Sequence, residues 1–292
     1  MHRNFCLPMN RAGQAVFAGI QVARIQRKRR GCDADHQRLN TTRPGYGYAG
    51  LADPYAEQAA PNETGIWRLD LRMEQTRLLL SFAEIARAPY KADVNYANDP
   101  AKSKHWFNHL LYSTDGKRFL FLHRWRELGQ PVSRPFSTRM FTCNTEGGEL
   151  YVVDPYGKTS HFIWRDPEHI CAWAWHLSHG EKFYLFRDRS NKVEVVGPDV
   201  MTVNGHNTYL SGAEWILNDT YPDKDRLQHP YLYHVATGKR APLGHFYSPP
   251  QYMGEWRCDT HPRFSPDGKK VVIDSPHAGG RQMYLIDISK LS

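Results

Sequence analysis

The sequence predicts an all-β fold, a β-propeller built from four-stranded blades. Three observations carry the prediction. Four segments open alike, on a His followed three residues later by an aromatic: His109 to Tyr112, His161 to Trp164, His206 to Tyr209 and His261 to Phe264. These histidines recur at intervals of 52, 45 and 55 residues, close to the length of one four-stranded blade. After each, β-branched and aromatic runs alternate with Gly, Asn and Asp turns, and residues 100–292 carry no sustained helical periodicity.

Each repeat continues in the same order. The opening strand ends at a turn: Ser113-Thr114-Asp115-Gly116, Arg165-Asp166-Pro167-Glu168, Ser211-Gly212 or Ser265-Pro266-Asp267-Gly268. A second strand follows at Arg118–His123, His169–Trp175, Glu214–Leu217 and Lys270–Asp274. Third and fourth strands pair as hairpins: Arg139–Asn144 with Glu149–Val153, Lys182–Arg187 with Val193–Val196, and Tyr231–Val235 with Arg240–Leu243. Upstream, Gly65–Leu71 and Arg77–Phe82 read as strands three and four of an earlier blade, and Gln282–Ile288 as a third strand near the far end. The expected count is three complete blades flanked by two partial ones, four to five in all and incomplete. Residues 39–63 are rich in Gly, Pro, Ala and Tyr, and are a candidate source of one further strand.

The net charge of +8 is concentrated at the N-terminus: residues 1–38 hold eight basic and two acidic side chains. The expected division is a basic, solvated head at 1–38 and a propeller at 39–292. Arg27-Lys28-Arg29-Arg30 is a pattern that binds nucleic acid or anionic membrane, but a solvated tail is the simpler reading, and neither partner is expected. No apolar stretch is long enough to span a bilayer, and no clean secretory signal stands at the N-terminus. With an odd cysteine count of five this favours a cytoplasmic location, or a periplasmic one if the native N-terminus is missing. Cys143 and Cys171 sit in apolar strands and read as buried thiols.

First strands of propeller blades line the central channel. His109, His161, His206 and His261, at one point of four such strands, should therefore converge on one funnel, a cluster suited to metal binding or proton transfer. Arg257-Cys258-Asp259-Thr260-His261 places a thiol, a carboxylate and an imidazole within four residues, with His245 in the preceding loop; Cys, His and Asp together are ligands appropriate to zinc. Arg139 follows a long loop that could carry it toward an anion in the funnel.

The Ser-Pro-Asp-Gly turn resembles TolB-like propellers in general. Ser160-His161-Phe162-Ile163-Trp164-Arg165, Gly205-His206-Asn207 and His261-Pro262 resemble, more specifically, oligogalacturonide lyases and related propeller lyases, including ulvan lyases, over roughly residues 45–290. Those families are seven-bladed, so the resemblance implies that two or more N-terminal blades are lacking. It implies cleavage of uronate-containing oligosaccharides by metal-assisted β-elimination, with an anionic oligosaccharide as partner. His161 corresponds to the base, Arg139 to the assisting arginine, and His206 and His261 to metal ligands. Tyr184, Tyr209 or His109 is the candidate proton donor. The family's further His and Gln ligands fall near Asp259 and Trp256, which do not preserve the ligand type, so manganese and zinc both stay open; Cys258 with His245 and His261 resembles the zinc site of ulvan-lyase propellers. The alternatives are a non-catalytic TolB-like propeller that binds a protein, or an inactive lyase fragment. The oligomeric state is not indicated.

Overall fold

The computed structural model describes residues 30–70 and 73–290. They form six antiparallel sheets: five of three or four strands follow one another in chain order, the repeating unit of a β-propeller, and one has only two strands. The first sheet holds β1 (Arg30–Ala34), β2 (Gly65–Asp70) and β3 (Gln75–Ser81), with helix α1 (His36–Thr42) after β1 and α2 (Phe82–Arg87) after β3. The second is a four-stranded meander of β4 (Ser103–Tyr112), β5 (Arg118–Glu127), β6 (Ser137–Asn144) and β7 (Tyr151–Gly157). The third is β8 (Thr159–Trp164), β9 (His169–His176), β10 (Gly180–Arg187) and β11 (Val193–Val195). The fourth contains β12 (Thr208–Tyr209), β13 (Trp215–Asn218), then, after the short β14 (Leu227–Gln228), β15 (Tyr231–His234) and β16 (Arg240–Pro242). β14 pairs instead with β17 (Phe246–Tyr247). The fifth has three strands, β18 (Arg263–Phe264), β19 (Lys270–Ser275) and β20 (Gln282–Asp287).

The apolar side chains explain why the sheets stack face to face. Successive residues of a strand point to opposite faces. Phe119 and Phe121 of β5 therefore join Ile66, Leu80 and Phe107 between the first two sheets, while Leu120 and Leu122 join Ile170, Ala172 and Tyr184 between the second and third. Cys171 and Ile216 lie between the third and fourth; Leu217 meets Val271 and Ile273 between the fourth and fifth. Central strands buried on both faces read as continuous apolar runs. The two ends of the series meet through polar groups, Arg257 Nη2 donating to the Tyr46 hydroxyl at 2.8 Å. The repeated turn is also reproduced: Ser113 Oγ donates to Asp115 and Ser265 Oγ to Asp267, with Gly116 at φ 69° and Gly268 at φ 71°, the left-handed position that glycine fills without strain.

Two sequence expectations need correction. The proposed head at 1–38 and propeller at 39–292 divide the chain too late. β1 pairs along β2, and the Arg38 side chain is fully buried, donating to four backbone carbonyls and to Asp53. The basic run up to Arg29 lies outside the described residues. β2 and β3 are accordingly the second and third strands of their sheet, and residues 39–63 supply the end of α1 and a loop rather than a strand.

Arg139 is the second correction. It is buried in β6 and donates to the carbonyls of Ile85, Ala88 and Pro89 and to His123 Nδ1. It takes no part in lining the cavity described below. A guanidinium can only donate, so this contact sets the tautomers of its neighbours. His123 accepts at Nδ1 and donates from Nε2 to His105 Nδ1 at 2.9 Å, and His105 Nε2 donates to the Pro100 carbonyl at 3.0 Å. Both rings are neutral. Burial drives the His105 pKa down to about 4 and that of His123 well below its usual value.

Below pH about 6.5 the unfolded chain binds protons at these two rings that the folded chain refuses. Stability should therefore fall as the pH drops from about 6.5 toward 4. Urea unfolding at pH 7 and pH 5 should show a lower midpoint at pH 5, with a smaller difference in His123→Phe. Arg139→Ala, which orphans buried carbonyls, should cost about 3 kcal/mol in the same assay.

Candidate functional site

A cavity of about 620 Å³ opens between the five larger sheets, and residues on or just beside the strands of each line its wall. Four histidines reach it from equivalent points. His109 lies in the break of register between Asn108 and Leu111 of β4. His161 lies in the break between Thr159 and Phe162 of β8. His206 and His261 each stand two residues before the strand that opens their sheet. A bulge re-aims a side chain that regular pleating would point into the neighbouring sheet. His109 and His261 have positive φ, 55° and 39°, costly for a residue with a Cβ and concentrated at functional sites.

Three of the four rings touch. The His206 centroid lies 3.9 Å from that of His161 and 3.9 Å from that of His261. Asp219 places the middle ring. Its carboxylate accepts from the His206 backbone N–H at 2.6 Å, from the Thr260 hydroxyl at 2.5 Å, and from His206 Nδ1, 3.1 Å from both oxygens. His206 therefore carries a proton on Nδ1 and presents the Nε2 lone pair away from Asp219. Burial alone would raise the Asp219 pKa, but the adjoining His206 and these hydrogen bonds outweigh it and hold it at about 2.

His161 is fixed in the same manner. Asn204 Oδ1 can only accept, so His161 Nδ1 donates to it at 3.0 Å, and the Asn204 amide donates in turn to Ser160. The Nε2 lone pair then accepts from the Tyr221 hydroxyl at 3.2 Å. Burial, then the neighbouring His206, keeps the His161 pKa well below 6.5; the same two causes lower His261 to about 3. His261 and His109 present accessible surface to the cavity, yet protein encloses both rings. For His109 that enclosure, with the charges of Arg124 and Arg43, also favours the neutral ring.

His206, Asp259 and His261 offer ligand atoms that all lie within 4.8 Å of one another. Asp259 is buried; its Oδ2 receives Arg257 Nη2 at 2.9 Å, and its Oδ1 has no hydrogen-bond partner. Two imidazoles and a carboxylate oxygen short of a donor fit a divalent transition metal. Arg43, Arg124, Arg257 and Arg263 line the cavity as well.

The sequence-predicted ligands divide. His206 and His261 meet; Cys258 and His245 do not join them. The buried Cys258 thiol is pushed up in pKa by desolvation, and its neighbour Asp259 takes the place expected for it. His245 lies outside the cavity wall, its Nδ1 2.6 Å from that of His229, which contacts Asp223. Tyr184 donates to the Gly180 carbonyl and Tyr209 packs at the third and fourth sheets; neither lines the cavity. Tyr221, Asp219 and Arg124 are not marked by the sequence reading; Asp259 is marked there as a carboxylate beside Cys258. One signal was present: Asp219 follows His206 by 13 residues, as Asp274 follows His261.

No protein-family model matches the sequence, and no curated protein matches it. Solved structures resemble it at low identity. TolB from Acinetobacter baumannii matches at 13% identity and TM-score 0.48, over 79% of this chain and 48% of that one. An oligogalacturonate lyase in complex with manganese matches at 12% and 0.46, over 76% and 71%. The acylaminoacyl peptidase of Pyrococcus horikoshii matches at 17% and 0.46, over 77% and 34%. The chain thus spans about half the length of the TolB structure, and at these identities the likenesses say nothing of activity.

Replacing Asp219 with Ala leaves the His206 N–H and the Thr260 hydroxyl buried without an acceptor. Chemical denaturation should show a loss of about 3 kcal/mol at pH 7. Because the carboxylate is held near 2, its contribution is present above about pH 4 and is lost as the pH falls toward 2.

Proposed function

We propose that the chain is a lyase that cleaves uronate-containing oligosaccharides by β-elimination, with His161 as the base. The observation that carries this reading is the neutral His161 ring. Its Nδ1 proton is pinned to Asn204 and its Nε2 lone pair faces the Tyr221 hydroxyl, beside the donor set of His206, His261 and Asp259.

The chemistry requires these groups. The proton to be removed sits on C5 of the uronate, next to a carboxylate, and the carbanion left behind is unstable unless that carboxylate is neutralised. A divalent cation held by His206, His261 and Asp259 would supply that charge. His161 Nε2 takes the C5 proton; the electron pair of that bond forms the C4–C5 double bond, and the C4–O bond breaks. Tyr221 gives its hydroxyl proton to the departing oxygen. The 3.2 Å contact between Tyr221 and His161 Nε2 then returns the captured proton to the phenolate, restoring both groups without water. Arg257 and Arg263, on the same wall, favour an anionic sugar chain.

Incubation with oligogalacturonides and other uronate polymers should yield the unsaturated product, followed by its ultraviolet absorbance. His161→Ala and Tyr221→Phe should each lower kcat/KM about 10²-fold or more, while Cys258→Ser and His245→Ala should leave it near the wild-type value. Metal analysis should find one equivalent per chain, lost in His261→Ala and Asp259→Asn, and a chelator should abolish turnover. The acid limb of kcat/KM should lie below the ordinary imidazole value of about 6.5, because His161 resists protonation. Failure to form product from any uronate would sink the lyase reading and favour a propeller that only binds.

A further inference from the structure

Two of the cavity arginines are unlike the other buried arginines of the described residues. Arg38, Arg118, Arg126 and Arg139 each direct several N–H groups to carbonyls, carboxylates or a hydroxyl, although Arg139 also leaves Nε without a partner. Arg124 on β5 is only 3% exposed, yet its Nε and Nη1 have no partner. Arg43, which follows α1, is half-buried and likewise leaves Nη1 unpartnered. Neither guanidinium forms an ion pair among the described residues. Both lie near one aromatic ring, their guanidinium carbons 5.4 Å (Arg43) and 4.7 Å (Arg124) from the Phe136 centroid, and Arg43 also lies 3.7 Å over Tyr46. Both line the cavity, on the side built by the first and second sheets, whereas His161, His206 and His261 come from the third, fourth and fifth.

Two like charges held close together with idle N–H groups are costly. The aromatic faces offset part of that cost, but they cannot accept the in-plane hydrogen bonds that a guanidinium fork offers. An oxyanion can satisfy both requirements: it neutralises the pair and accepts from both forks.

We infer that Arg43 and Arg124 form a second anion site in the cavity, which takes a carboxylate of an acidic sugar chain other than that of the uronate at His161. The identification of the anion as a uronate rests on the lyase reading; the anion site itself does not. The cavity then requires two acidic groups on one chain, so an acidic oligosaccharide is bound in preference to an esterified one. Arg43 and Arg124 act here as binding residues and take no part in the proton transfers.

The test is calorimetric titration of the full-length chain, kept metal-free with chelator, with trigalacturonate, its methyl ester and inorganic phosphate. Trigalacturonate should bind the wild type, lose affinity as salt is raised, and bind at least tenfold more weakly to Arg124→Gln and to Arg43→Gln. Binding of the ester should change little in either variant. Unfolding midpoints of the variants exclude a folding defect, and Arg43→Gln, at the less buried position, carries the test if Arg124→Gln fails to fold. Equal affinity of wild type and both variants for trigalacturonate overturns the site. Phosphate binding that depends on both arginines, with no binding of trigalacturonate, keeps the anion site and overturns its assignment to a uronate. Arginine-dependent binding of trigalacturonate, with no elimination when the same chain is assayed in the presence of divalent metal, keeps this inference and removes the lyase reading alone.

Discussion

The carboxylate of Asp219 is the contact on which the cavity is built. It sits at the end of β13 in the fourth sheet, fully buried, and accepts from His206 in its own sheet and from Thr260 at the threshold of the fifth. A buried anion is tolerated only when donors surround it, and here the donors are the backbone and ring of the central imidazole and a hydroxyl of the next sheet. One group therefore ties two blades together and orients the ring between His161 and His261. Register in a propeller is otherwise fixed by apolar faces, which are non-directional. The directional information at this site comes from Asp219 and, on the other side, from Asn204.

Neutral imidazoles and protonated guanidiniums both line the cavity. The same enclosure that keeps His161 and His261 uncharged leaves Arg124 and Arg43 with unused hydrogen-bonding capacity, because an arginine cannot escape by losing its proton. One wall thus offers lone pairs to a cation and to a proton, and the other offers N–H groups to an anion. That polarity is the opposite of a blade interface, where Phe119, Leu120, Phe121 and Leu122 alternate between two dry faces.

Most of the strand order was legible in the sequence, because a hairpin is a local object. Lys182–Arg187 and Val193–Val196, read from turn residues and alternation, fall within a residue or two of β10 and β11. β1 was not legible: its partner β2 is some thirty residues away, and its sequence, Arg-Gly-Cys-Asp-Ala, resembles a solvated tail. The convergence of the histidines followed from strand position alone. What did not follow was the direction of side chains outside those first strands. Arg139 on β6 and Arg124 on β5 pair across the sheet with His123 and Thr138. Only the pleat decides that the first points into the blade interface and the second into the cavity. Residue type alone does not separate Cys258 from Asp259 as a ligand to join His261; adjacent residues of an extended chain face opposite ways, and it is Asp259 that meets His206 and His261.

The central claim is that His161 is an uncharged base whose proton sits on Nδ1. Heteronuclear NMR of the imidazole nitrogens, recorded on the folded chain from pH 7.5 down to pH 5.5, reads tautomer and charge directly. The account predicts a His161 signal with protonated Nδ1 and bare Nε2 that does not shift over that range. An imidazolium signal from His161 forming near pH 6.5, or a proton resident on Nε2, would contradict it.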